Sequence, residues 1–325
     1  MFATLMRYRH LAAAAPLMLA LVATAAAQAP YPNRNITLVL PFAAGSGTDT
    51  TTRLIGKELG TALGVNTVID NKAGANGSIA ASYVARSAPD GYTLFVTTNT
   101  THSANPYLLK NMSYDPVKDF TPIARTGDLP FMLVIHPDIP ANSVAELIAL
   151  AKKEPGKYSY ASGSSSAIVS GATFARLAGI DLLHVPYKSS PPALTDVIAG
   201  RVSMMFIDVP TGLPHVNAKA LKALAVTTKK PSALLPDLPT MDNTVKGFDI
   251  TSWQGYLGPA NMPKDIVVKL NAEIRKIIER PDIKNQLAER GMEAFSGTPE
   301  EFDAFLKEQL VLWERLIADA GIEKQ

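Results

Sequence analysis

Two hydrophobic rhythms alternate along this chain: short, nearly continuous apolar runs, and longer stretches with apolar residues every three or four positions. The run Ile36–Leu40 has no polar alternation, the mark of a strand covered on both faces. After it, Ile55, Leu59 and Leu63 form one face of a helix that starts at Thr48 or Asp49 and stops at Gly64. Residues 67–69 read as a strand, 79–87 as a helix and 93–97 as a strand, with Pro89-Asp90-Gly91 as the last turn. A second unit repeats the rhythm, with strands at 131–136, 158–161, 183–187, 202–207 and 221–227. Its helices fall at 143–153 and 167–177, and Pro191-Pro192 opens another. Strands alternating with helices predict an α/β protein with parallel sheets. The C-terminal part is helical over 263–279 and 281–290. A capping box at Thr298-Pro-Glu-Glu301 then opens a helix whose apolar stripe runs through Phe302, Phe305, Leu306, Leu310, Trp313 and Leu316. That stripe is expected to pack onto the first unit.

The N-terminal segment departs from both rhythms. Arg7, Arg9 and His10 precede a small-residue apolar stretch at 11–22, and Ala25-Ala26-Ala27 follows. This is the pattern of a secretory signal peptide, residues 1–27, cleaved near Ala27, which predicts an exported protein. The apolar stretch is shorter than the ~20 residues a membrane span requires. Cleavage removes two arginines and no acid from a chain with 31 basic and 29 acidic residues. The mature protein is then electrically balanced, which favours neither nucleic acid nor an anionic membrane surface as partner. The chain has no cysteine, so disulfides, thiolate metal sites and a cysteine nucleophile are excluded. Stability must come from the core. The length that remains suits two lobes better than one.

Two loops carry the most informative chemistry. The stretch Pro41-Phe42-Ala43-Ala44-Gly45-Ser46-Gly47-Thr48-Asp49 leads from a strand end to a helix start, and Ser162-Gly163-Ser164-Ser165-Ser166 does the same in the second unit. Ligands of open parallel sheets bind beyond the carboxyl ends of the strands. Glycine lets the backbone approach closely, and free N–H groups at a helix start attract anions. Two such loops facing each other would grip a carboxylate by directed hydrogen bonds, because neither contains lysine or arginine. Each loop alone is equally well a tight turn with a good helix cap. Thr97-Thr98-Asn99-Thr100-Thr101-His102 is a third cluster of hydrogen-bonding side chains after a strand. Asp208, closing the apolar run 202–207, is a fourth candidate. There it would accept from a ligand amino or hydroxyl group, hold a water, or cap the next segment.

Catalytic and cofactor motifs fit less well. Gly47 is followed by Thr48 where a phosphate-binding loop needs lysine, and Thr50 stands where a dinucleotide fingerprint needs its third glycine. The histidines show no zinc-binding spacing, so no metal is expected. Ser165 sits where a nucleophile elbow would place its serine, but Ala167 replaces the elbow's final glycine. An exported hydrolase using His184 or His215 as base is the alternative left open.

Several ordered segments resemble the tripartite tricarboxylate transporter receptors, the Bug family of periplasmic solute receptors. They include Leu38-Val-Leu-Pro-Phe-Ala-Ala-Gly45 with Thr48-Asp49, and Asp70-Asn-Lys-Ala-Gly-Ala-Asn-Gly77. Ala88-Pro-Asp-Gly-Tyr-Thr-Leu94, Tyr114-Asp-Pro-Val-Lys-Asp-Phe120, His184-Val-Pro-Tyr-Lys188, Leu221-Lys-Ala-Leu-Ala-Val-Thr227 and Leu235-Pro-Asp-Leu-Pro-Thr240 continue the match. The resemblance implies a two-lobed periplasmic-binding-protein-like fold (type II, Venus flytrap) that closes by hinge motion. The first lobe would comprise residues 30–127 plus 253–325 and the second 128–252. It implies no catalysis and no cofactor. It implies a small carboxylate as ligand: a dicarboxylate, tricarboxylate, amino acid or aromatic acid. Partners would be membrane transporter subunits or, in a sensor of a two-component system, a kinase, with the receptor a monomer. The ligand residues it implies are Phe42, Ala44, Gly45, Ser46, Gly47, Thr48 and Asp49 in the first loop, and Ser162, Ser164, Ser165 and Ser166 in the second. Thr98, Asn99, Thr100 and Asp208 complete the set. Ser46 stands where the family commonly has glycine, adding a hydroxyl.

Overall fold

The structure, a computed structural model, describes residues 30–324. The signal-peptide reading of residues 1–27 falls outside them. Among the described residues no helix is long and apolar enough to cross a membrane.

The first stretch is built as the hydrophobic rhythm predicts: β1 (Ile36–Leu40), α1 (Gly47–Leu63), β2 (Thr67–Asn71), α2 (Ser78–Ala85) and β3 (Thr93–Thr98). β1 pairs in parallel with both β2 and β3. A wide π-type turn at Thr100–Ala104 and α3 (Asn105–Leu108) then lead to β4 (Phe120–Leu129). The chain next builds β5 (Phe131–Ile135), α4 (Val144–Lys153), β6 (Ser159–Ser162), α5 (Ser165–Ala178), β7 (Leu183–Pro186), α6 (Ser190–Ile198), β8 (Met204–Asp208), α7 (Val209–Asn217) and β9 (Lys222–Val226). It returns through α8 (Met241–Thr244) and β10 (Ser252–Pro259), and ends with α9 (Lys264–Glu279), α10 (Pro281–Glu289), β11 (Glu293–Ala294) and α11 (Pro299–Asp319).

These strands form two sheets, ordered β11-β4-β10-β3-β1-β2 and β7-β6-β8-β5-β9. Neither is wholly parallel, in contrast to the sequence expectation. β10 runs antiparallel to β3 and β4, and β5 runs antiparallel to β8 and β9. The reason is connectivity. β4 carries the chain out of the first sheet, and β10 brings it back alongside β4 in the opposite direction.

The continuous apolar runs are explained by cover on both faces. Ile36, Leu38 and Leu40 enter the core under α1 and α9, while Val39 enters the opposite core with Phe95 and Trp253. In the second sheet Leu133 and Ile135 face one core, and Met132 and Val134 the other.

α11 corrects another expectation. Phe302 and Leu306 pack on the first sheet's core, but Trp313, Ile317 and Ala320 belong to the core that holds Leu133, Phe174 and Phe206. A helix of 21 residues is about 30 Å long, enough to reach both. Gln309 stands at the changeover, its Oε1 accepting from Trp253 Nε1 at 3.1 Å and Trp313 Nε1 at 3.2 Å. Gln309→Ala leaves two buried indole N–H groups unpaired, and we expect a loss of about 2 kcal/mol in denaturant unfolding. Gln309→Glu keeps the acceptor and should lose much less. Equal losses in the two variants would contradict this account.

Candidate ligand cleft

The loops from β1 to α1, β6 to α5, β7 to α6 and β8 to α7 meet between the two sheets. Each ends in a serine or aspartate, and at α1, α5 and α7 that side-chain oxygen serves the exposed N–H groups of the helix start, while Ser189 before α6 accepts from Ala43 N instead. Ser46 caps α1 by accepting from Asp49 N at 3.3 Å, so the helix begins at Gly47, earlier than the periodicity suggested. Ser164 caps α5 through Ala167 N at 3.3 Å, and Asp208 caps α7 through Thr211 N at 3.0 Å.

The first loop is shaped from beneath by Asp49. Its carboxylate accepts from Gly45 N at 2.9 Å, Asn71 Nδ2 at 3.1 Å and Arg53 Nε at 3.0 Å. Burial pushes the Asp49 carboxyl up, but Arg53, the Gly45 N–H and Asn71 outweigh it and hold the group below its ordinary value. Asp49 therefore braces the loop and is spent on protein donors. Ala44 and Gly45 lie on the exposed crest of the loop.

Across the cleft the two sides are joined by direct hydrogen bonds. Ala43 N donates to Ser189 Oγ at 3.1 Å, Asn99 Nδ2 to Ser166 Oγ at 2.9 Å, and Ser165 N to Thr100 Oγ1 at 3.3 Å. Ser252 Oγ in turn bonds Asn99 Oδ1. The cavity between the two sides measures about 20 Å³ and is lined by Phe42, Ser46, Gly47, Thr48, Thr98, Thr100, Leu129, Phe131, Ser164, Ser190, Asp208 and Ser252. That is room for about one water. Among the described residues its one ionisable lining group is Asp208, whose carboxyl burial raises above its ordinary value, against the opposing pull of the Thr211 hydroxyl and N–H. A far larger depression, about 770 Å³, lies beside α1 and β2 and includes Arg34, Arg53 and Lys57. It is open to solvent, and its cations are partly engaged, Arg53 with Asp49 and Arg34 with Asp90. The polar convergence is in the cleft.

Of the residues read from sequence, Phe42, Ser46, Gly47, Thr48, Thr98, Thr100, Ser164 and Asp208 thus line one cavity. Asn99, Ser165 and Ser166 join the two sides behind it. Ser162 is turned toward His184, its Oγ 2.6 Å from Nε2. This bears on the hydrolase alternative, since His184 meets Ser162, and the buried Ser165 Oγ has no hydrogen-bond partner among the described residues. His102 faces away from the cleft, its Nδ1 2.6 Å from Thr97 Oγ1 and its ring packed at 4.6 Å from Phe120.

Leu129, Phe131, Ser190 and Ser252 were not singled out from sequence. Ser190 had a readable signal, because Ser189-Ser190 precedes Pro191 at the same strand-to-helix position as the two selected loops. Leu129, Phe131 and Ser252 carry none. They sit where the chain passes between sheets, and only the fold brings them to the cavity.

Two α/β lobes that meet over a cleft walled by helix N-termini define the class of two-lobed periplasmic-binding-protein-like folds. Residues 51–322 match the family model described as tripartite tricarboxylate transporter family receptor, and the chain belongs to that family. It is similar in structure to Rpa4515 of R. palustris with adipate, at TM-score 0.89 and 34% identity over 91% of this chain and 100% of that one. The periplasmic binding protein BugD superposes at TM-score 0.86 with 34% identity, over 91% of this chain and all of its own. MatC (Rpa3494) from Rhodopseudomonas palustris with bound malate gives TM-score 0.81 and 30% identity over 88% and 100% of the two chains.

Proposed function

We propose that this protein is a periplasmic receptor that captures a small organic carboxylate in the cleft and presents it to a tripartite-type membrane transporter, without chemical turnover. The observation that carries this reading is the convergence of helix starts α5 and α6 with the Thr98, Thr100 and Ser190 hydroxyls on one cavity. Such donors bind an anion without a full countercharge. Once the lobes part to admit more than the one water the ~20 Å³ cavity holds, Phe42, Leu129 and Phe131 supply apolar walls for a carbon skeleton. The adipate and malate carried by two related structures are of this chemical class. Residues 30–127 with 253–325 form the first lobe in this reading and 128–252 the second, with the end of α11 seated in the second lobe's core, and the crossings near Thr126-Gly127 and Thr251–Trp253 form the hinge.

A thermal-shift screen of the mature protein against carboxylates, amino acids and aromatic acids tests this. An acid at a hundred times its dissociation constant should add about 2.7 kcal/mol of stability and be recovered intact. Ser190→Ala, which leaves the Ser189 cap position of α6 in place, should weaken binding of that acid about tenfold with little change in ligand-free stability. No shift with any acid, or consumption of the one that binds, would sink the proposal.

A further inference from the structure

We propose that Asp208 is a closure latch, a second-lobe carboxylate shared between the start of its own helix α7 and the start of the first-lobe helix α1. The inference rests on the receptor reading only in requiring that the lobes part.

Asp208 is 7% exposed and lines the cavity. Its Oδ1 accepts from Thr211 N at 3.0 Å and Thr211 Oγ1 at 2.5 Å, which ties it to the second lobe. The same oxygen lies against Gly47, the first helical residue of α1. A Cβ built there would stand 2.1 Å from it, and the Gly47 N–H faces the carboxylate. This proximity exists only while the lobes are together, since Gly47 and Asp208 lie on opposite sides of the cleft.

The acceptors of the α1 loop itself are already committed. Ser46, the cap of α1, accepts from Asp49 N, and the Asp49 carboxylate is held by Gly45, Asn71 and Arg53. The start of this 17-residue helix thus meets, besides its own Asp49, a buried carboxyl group supplied by the other lobe. Among the described residues no lysine or arginine lines the cavity beside Asp208, so two helix ends provide its compensation. Parting the lobes returns Gly47 and Asp208 to water, and the contact stabilises the closed form alone. It also fills the α1 end, which directs a captured carboxylate toward Ser164 and Ser190 at the starts of α5 and α6.

The absence of cysteine from the chain allows a test that needs no solute. Cysteines placed at Ala43 and Ser189, whose backbone N and side-chain Oγ lie 3.1 Å apart across the cleft, should cross-link under mild oxidant at a rate set by the closed fraction. Asp208→Asn keeps a good cap for α7, so its melting temperature should stay near that of the parent. Its cross-linking should slow about tenfold, as for loss of one charge-assisted contact. Gly47→Ala should slow it further, and adding Asp208→Asn to Gly47→Ala should change nothing more. Asp208→Ser, also a capping residue, should reproduce the asparagine result. A parent-like rate in Asp208→Asn, an equal effect with and without Gly47, or a parent pair that never cross-links would each overturn the latch. Carboxylate binding is read separately in the thermal-shift screen, so either idea can fail alone.

Discussion

Gly163→Ala should lower the unfolding free energy by about 3 kcal/mol and abolish solute capture. The glycine follows Ser162 and precedes the α5 cap. A Cβ on it would lie 2.2 Å from Ser189 C and 2.3 Å from Ser190 N. Both neighbours are backbone, so no rotamer change relieves the overlap, and the loop entering α6 must move as a whole. That loop carries the Ser189 bond to Ala43 and the Ser190 hydroxyl in the cavity. The requirement is one of close approach and not of backbone conformation. Gly179 provides the contrast. It has φ +62° and open space for 4 Å around the position a methyl would take, so Gly179→Ala should cost only about 1 kcal/mol. Denaturant unfolding of the two variants, with binding of the screened acid, decides the matter. Equal losses would refute the packing account.

The second large effect is a loss of stability in mild acid that His102 causes. Its ring is 1% exposed and lies among Phe95, Tyr114 and Phe120. Burial lowers its pKa from 6.5 to about 3. The unfolded chain therefore takes up a proton that the folded one refuses. Stability from this group is fully present above pH 6.5 and falls as the pH drops from there toward about 3, by about 1.4 kcal/mol per unit. His102→Gln should flatten the profile between pH 6.5 and 5, above the range where ordinary carboxylates titrate. Parallel profiles for the two proteins would show that His102 takes up its proton in the folded state.

His102 also shows how sequence reading of the site worked and where it stopped. The segment 97–102 was readable as a cluster of hydrogen-bonding side chains after a strand, and the structure divides it. Thr98 and Thr100 line the cavity, Asn99 joins the two sides, and His102 goes into the core. The strand's alternation is lost at the π-type turn Thr100–Ala104, so side-chain direction could not be carried forward from it. Asp49 is a similar case. As an acid in a loop at a helix start it suggested contact with a ligand, but Asn71 and Arg53, both outside that loop, draw it underneath.

The sequence by itself determined the units and their ends. Runs such as Ile36–Leu40 must be strands covered on both sides, and Gly64 and Ser143 end and begin helices through backbone geometry that is local. The strand-to-helix loops with small residues and hydroxyls were legible for the same reason, since glycine and serine act on their own neighbourhood. Tertiary structure alone decided the direction of β5 and β10, the reach of α11 into both cores, and the meeting of Leu129, Phe131 and Ser252 at the cavity. It also set Asp208 against Gly47, far away in the chain. Pairings of that kind depend on how the chain crosses twice between the sheets, and no periodicity of apolar residues records it.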